Sequence, residues 1–133
     1  MVGLGAIGSL VARTGLDIGM NVVGFDPALS VDAAWRLPSE VQRMENLPSL
    51  LALSDYVTLH VPELPSSRNL IDTEMLRTFT RGAVLINFAR QEVVDEAAIA
   101  DALNEGQLGG YLSDFPSTVL TNYDKVYSMP HLG

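Results

Sequence analysis

At 133 residues the chain is sized for one domain with one core. Sixteen acids against eight bases leave a net charge of -8, which disfavours nucleic acid or an anionic membrane as partner, and no apolar run approaches the ~18 residues of a membrane span. The absence of cysteine excludes disulfides and thiolate chemistry, and no signal-like leader precedes the first motif, so a cytoplasmic location is expected.

Short β-rich runs alternate with helical patterns along the chain. "MVGL" reads as a stub of strand, followed by a helix over "AIGSLVARTGLDIG" with Ile7, Leu10, Val11 and Thr14 on one face and Gly19 at its end. "NVVGFDP" is a second strand, "SVDAAWRL" a short helix capped by Ser30, "EVQRM" a third strand and "LPSLLALS" a helical piece. Then come strand "DYVTLHVP", a helix over "IDTEMLRTF" capped by Asp72, and "GAVLINFA", the most apolar strand. A helix over "VDEAAIADALNEG" runs from an Asp95 cap to Gly106, before strands at "GGYLSDF" and "KVYSMP". About seven strands with helices between them predict an α/β fold, a doubly wound parallel sheet of the Rossmann type with its first strand cut short.

Gly3, Gly5 and Gly8 form a G-x-G-x-x-G pattern between a strand stub and a helix, the setting that suits a dinucleotide. The first glycine permits a tight turn, the second lets backbone approach a pyrophosphate, and the third lets helix and strand pack closely. Amides near Ala6 and Ile7 would face the phosphates. The plain alternative is a glycine turn without a ligand. Asp26 lies roughly 20 residues further on, at the end of the second strand, where an acid accepts hydrogen bonds from a ribose hydroxyl. A 2′-phosphate there would meet like charge, and the nearest arginine is Arg36, so NAD is favoured over NADP. The competing reading of Asp26 is a turn former before Pro27.

Ligands of open α/β sheets sit at the carboxyl ends of the strands. Those ends carry His60-Val61-Pro62, Asn87-Phe88-Ala89-Arg90, Asp114, and His131-Leu132-Gly133 after Pro130. Both histidines and one of the eight bases thus gather on the edge that carries the glycine loop. Any one of them alone reads as a polar residue at a strand exit, whereas together they suggest a site. No metal-ligand pattern is present.

These motifs, from "GLGAIGSLVA" through "VVGFDP", "SDYVTLHVP", "NLID", "GAVLINFARQEVVDEAAI" and "GYLSDFP" to "MPHLG", resemble the D-isomer-specific 2-hydroxyacid dehydrogenases. Within that family the likeness is to D-3-phosphoglycerate dehydrogenases, enzymes of serine biosynthesis. The resemblance implies that "LHVP" lines the cofactor pocket and that Ser67 approaches the nicotinamide side. It implies that Arg90 binds the substrate carboxylate, that Asp114 contacts the nicotinamide carboxamide and that His131 is the acid/base. It also implies a homodimer, a small 2-hydroxy acid as substrate, and a dinucleotide domain covering residues 1–133 without the substrate domain. Two positions depart from the pattern: Gln91 replaces a glycine after the arginine, and Val119 stands where a glutamate pairs with the histidine. Either another carboxylate reaches His131, or the histidine works unpaired and slowly, or the chain binds NAD without turnover. The alternatives in other classes are a redox-responsive NAD-binding regulator and, less well matched by Arg90 and His131, a methyltransferase.

Overall fold

The computed structural model describes residues 1–131, so Leu132 and the expected cofactor contact Gly133 lie outside the described residues. Among the described residues there are six parallel strands: β1 (Val23–Gly24), β2 (Gln42–Arg43), β3 (Tyr56–Leu59), β4 (Ala83–Asn87), β5 (Leu108–Ser113) and β6 (Val126–Ser128). β1 pairs with β2, and β3 to β6 pair in chain order. Val2 joins the two sets by bridging Phe25 on one side and Leu59 on the other. Its amide donates to the Thr58 carbonyl at 2.9 Å, and its own carbonyl accepts from His60 at 2.7 Å. The strand stub is therefore a single central position in a sheet ordered β2-β1-Val2-β3-β4-β5-β6. Strand order reverses at Val2, and a crevice opens at such a reversal in doubly wound sheets.

Helices α1 (Ala6–Asp17), α2 (Val31–Arg36), α3 (Leu47–Leu53), α4 (Thr73–Thr78) and α5 (Glu96–Asn104) connect the strands. Right-handed crossovers from a central start put α1 on one face and α3, α4 and α5 on the other. The burial agrees: Leu50, Leu51, Val57, Leu59, Leu76, Leu85, Ile99 and Leu108 form the main core, while Met1, Leu4, Ala12 and Val22 form a separate small one. In β3 and β4 the residues facing the main core are fully buried, whereas Thr58, Val84 and Ile86 on the other face are half-buried.

The helix starts follow local chemistry. Ser30, Asn46, Asp72 and Asp95 each accept a backbone hydrogen bond from the first turn of the helix they precede. The apolar face expected of α1 departs from what periodicity suggests. Gly8 and Ala12 are its buried residues, and Ile7, Leu10 and Val11 point outward. A helix that sits this close to the sheet turns its small residues inward, so the larger apolar row is left on the outer side.

Candidate functional site

The glycine loop owes its shape to close contacts. Gly3 has φ +90, and a Cβ there would lie 2.7 Å from the His60 carbonyl carbon and oxygen. A Cβ on Gly8 would lie 2.1 Å from the Gly3 carbonyl oxygen. Both positions exclude a side chain because backbone already fills the space. At Gly5 the opposite holds, with nothing within 4 Å of a Cβ position. The third and first glycines close the turn, and the second leaves an open cradle in front of α1.

Gly5 also begins the one described helix of at least six residues that lacks a side-chain cap, and no acid stands in its first turn. Exposed Ala6 and Ile7 follow it directly. A helix start with uncapped amides, no competing carboxylate and an empty approach fits a pyrophosphate.

Asp26 stands across this loop. Its Oδ2 accepts from the Leu4 amide at 2.9 Å and its Oδ1 from the Ala28 amide at 3.0 Å, which ties the second strand end to the glycine turn. Asp26 and exposed Pro27 then line a cavity of about 460 Å³ with Leu29, Trp35, Val41 and Arg43. The arginine on that cavity is thus Arg43 from β2, brought there by strand pairing, and not the sequence-nearer Arg36.

His60 and Val61 run beside Gly3. Burial and the nearby positive chain terminus lower the His60 imidazole below its usual range, and its Nε2 lies 2.9 Å from the Thr58 hydroxyl. Val61 packs on the main core, and Pro62 is exposed. Ser67 is buried, with its hydroxyl donating to the Pro62 carbonyl at 2.6 Å and accepting from the Leu64 amide at 2.9 Å. That side chain staples the 62–67 turn.

At the end of β4, Asn87 is fully buried. Its Nδ2 donates to the Arg90 carbonyl at 2.9 Å and its Oδ1 accepts from the Ala89 amide at 3.1 Å. Nδ2 also lies 3.4 Å from the Tyr111 hydroxyl, whose phenol is pushed up mainly by burial. Asn87 thus shapes the turn that buries Ala89 and leaves Phe88 and Arg90 exposed. Gln91, the residue in place of a glycine, opens a short 3-10 helix and donates to Glu96 Oε1 at 3.1 Å. The other Glu96 oxygen accepts from the Ser117 hydroxyl at 2.7 Å, and Ser117 in turn accepts from the Val119 and Leu120 amides. One carboxylate therefore links the arginine turn to the segment carrying Val119, which is itself half-exposed.

At the last two strand ends, Ser113 pairs with Ser128, and the Met129 amide donates to the Ser113 carbonyl at 2.9 Å. This register brings His131 Nδ1 to 2.7 Å from Asp114 Oδ2. The Phe115 ring stacks on the imidazole, centroids 5.0 Å apart and planes 22° from parallel. Asp114 Oδ1 is buried and has no hydrogen-bond partner among the described residues. Of the alternatives left open for His131, the structure shows the first, a carboxylate other than one at position 119 reaching the ring. Sequence reasoning did not single out Asp114 for that contact, nor the Phe115 stack, Arg43 or the Glu96 link. Only the Phe115 position, directly after Asp114, carried any signal in the sequence.

The whole chain, residues 1–133, matches the family model described as "D-isomer specific 2-hydroxyacid dehydrogenase, NAD binding domain". The chain belongs to this family. Among curated proteins of the family it is 39% identical over 140 residues to the (S)-sulfolactate dehydrogenase of Chromohalobacter salexigens, with 99% of this chain and 44% of that protein covered. It is 31% identical over 139 residues to the D-3-phosphoglycerate dehydrogenase of Methanocaldococcus jannaschii, covering 100% of this chain and 26% of that protein. The chain thus spans less than half the length of either relative. Among solved structures, a D-isomer specific 2-hydroxyacid dehydrogenase from Xanthobacter autotrophicus Py2, in complex with NADPH and MES, matches with a TM-score of 0.87 and 33% identity over 98% of this chain and 43% of that one. As a member of the 2-hydroxyacid dehydrogenase NAD-binding domains, the chain has the doubly wound α/β fold its motifs predict. Among its described residues no helix is long and apolar enough to cross a membrane.

Proposed function

We propose that this chain is the cofactor-binding part of an oxidoreductase that moves a hydride between NAD and a D-2-hydroxy acid, with 3-phosphoglycerate as the first substrate to try. The observation that carries the reading is the placement of Arg90 and the Asp114–His131 pair at the ends of parallel strands, on the edge that holds the uncapped start of α1. When bound, the nicotinamide supplies the hydride acceptor or donor. Arg90, exposed and fixed in charge, pairs with the substrate carboxylate. In the oxidative direction His131 takes the hydroxyl proton as the C–H electron pair leaves as hydride and the C=O bond forms. Oxidation of a D-2-hydroxy acid thus yields a 2-oxo acid, reduced cofactor and one proton.

Asp26 supports a preference for NAD. Arg43 on the same cavity works the other way by offering positive charge to a 2′-phosphate. Calorimetric titration of the chain with NADH and NADPH tests this, NADH being expected to bind more tightly. Asp26→Ala should relax the discrimination by ~1–3 kcal/mol, the scale of a lost charged hydrogen bond. Because Asp26 also holds the Leu4 and Ala28 amides, Asp26→Asn is the better companion variant, since it removes charge while keeping an acceptor. Equal affinity of the wild-type chain for both cofactors would overturn the assignment.

Cofactor binding is expected without measurable oxidation of 3-phosphoglycerate by the chain alone, because Arg90 and His131 are exposed to water. NADH absorbance in the presence of D-2-hydroxy acids is the assay, and turnover would refute this part. The reading also takes the chain as self-associating, supported by the outward row of Ile7, Leu10 and Val11. Light scattering over a range of concentrations checks it, a monomer throughout counting against it. A non-catalytic, redox-responsive NAD-binding module is the second reading. It is favoured by the half-exposed Val119 where the family resemblance places a glutamate.

A further inference from the structure

Resting on the proposed function, in which Asp114 contacts the nicotinamide carboxamide, we infer that the same carboxylate also positions His131, taking the place of the glutamate that the family resemblance puts at Val119. Oδ2 meets the imidazole Nδ1 at 2.7 Å, while Oδ1 is buried with no partner among the described residues. A buried carboxylate oxygen left without a donor is costly unless a ligand supplies one. The nicotinamide carboxamide carries an N–H donor of the right kind, and the parallel strand ends place Asp114 on the cofactor edge.

The histidine's geometry is fixed from two directions. Hydrogen bonding to Oδ2 sets the ring's rotation and requires the neutral ring to keep its proton on Nδ1. The Phe115 face, 22° from parallel, restricts its tilt. Nε2, on the far side of the ring from Asp114, is then the atom with a free lone pair for the substrate hydroxyl. Val119 has no polar atom to compete for Nδ1. The Glu96 carboxylate, the other acid held near this segment, is engaged by Ser117 and Gln91. Asp114 is in this sense a positioning residue: it acts on the substrate only through His131.

The chain's two histidines make the test direct, because His131 carries the answer and His60 reports on the fold. Nitrogen-15 long-range NMR is recorded well above the ordinary histidine pKa of about 6.5, where free imidazole favours the Nε2–H form. Wild-type His131 should appear as the Nδ1–H tautomer, and Asp114→Ala should return it to mainly Nε2–H with the His60 signals unmoved. If Asp114→Ala does not fold, Asp114→Asn keeps the shape without the charge and should move the Nδ1 proton resonance upfield. A wild-type ring already in the Nε2–H form would overturn the positioning role. NADH binding is then measured on the same samples. Asp114→Ala should weaken it about ten-fold or more, the scale of one hydrogen bond to a charged group, and the wild-type Nδ1–H signal should persist at saturation. Unchanged affinity in the variant, or loss of the Nδ1–H signal on binding, would overturn the shared use of the carboxylate. Failure of the wild-type chain to bind NADH at all would instead refute the proposed function, and the tautomer result would stand on its own.

Discussion

The two halves of the site are built from different materials. Around Gly3, Gly5, Gly8 and Asp26 the shape comes from backbone: one positive φ, two excluded Cβ positions, an uncapped helix start and a carboxylate bonded to two amides. Around Arg90, Asp114 and His131 it comes from side chains on three strand ends, held by Asn87, Glu96, Ser117 and Phe115. A backbone-built site tolerates many residues between its fixed glycines and is written in one short motif. A side-chain-built site depends on strand register, so its partners lie far apart in sequence. The difference predicts that single changes in the first half act all or nothing, and that those in the second act by degrees.

The sharpest way to break that distinction is at the third glycine. Gly8→Ala places a methyl group 2.1 Å from the Gly3 carbonyl oxygen, so the α1 start and the strand stub must separate. Overpacking of this kind costs about 1–3 kcal/mol or more, and urea unfolding should show a lowered midpoint together with loss of NADH binding. Gly5→Ala makes the control. Its Cβ meets nothing within 4 Å and its φ of -70 suits any residue. The thermal midpoint should stay within a degree or two, on the scale of the small cost of a surface substitution, while NADH affinity falls because the cradle is filled. Equal losses of stability in the two variants would mean that the loop is a plain glycine turn.

In the second half the graded expectation is tested at the link between the arginine turn and the Val119 segment. Ser117→Ala removes a donor from Glu96 and an acceptor from the Val119 and Leu120 amides. It should cost about 1–2 kcal/mol by urea unfolding, the ordinary range for a hydrogen-bonded group that is partly buried. Cofactor affinity should change little, since none of these atoms borders the glycine loop. A large fall in NADH binding would show that the halves are coupled more tightly than their construction suggests.

The same contrast explains what the sequence made legible. The glycine motif and the capped starts at Ser30, Asp72 and Asp95 are legible because each is written in residues a few positions apart, and Asp26 because it ends the next strand after the motif. Arg90, Asp114 and His131 could be located as strand-end residues, but the Asp114–His131 bond could not, because it exists only once Ser113 and Ser128 are in register. The sequence places Ser67 and Asn87 on the cofactor side, and the structure adds what the sequence does not show, that their side chains bond within their own turns. A strand-exit polar residue looks the same in sequence whether it faces a ligand or folds back on its neighbours. The α1 face was misleading for another reason: apolar periodicity marks a face but does not say which side packs on the sheet, and Gly8 and Ala12 decide that by their small size.

His60 sits at the seam of the two halves, with its backbone against Gly3 and its ring on Thr58, and it should give the smallest effect. Burial, with the nearby positive terminus, lowers its pKa in the folded chain below the ordinary value of 6.5. Below 6.5 the unfolded chain therefore binds this proton before the folded chain does, and stability rises with pH across that window. The contribution is present above about pH 6.5 and is lost as the pH falls through the lower, folded-state value. His60→Gln removes the titration and keeps a polar side chain beside Thr58. Thermal midpoints measured from about pH 7 down to pH 5 should converge for the two proteins as acid is added, any wild-type advantage near neutrality shrinking step by step. Parallel curves would show that the His60 ring titrates alike in the folded and unfolded chains, and that the seam is open to water rather than closed against Gly3.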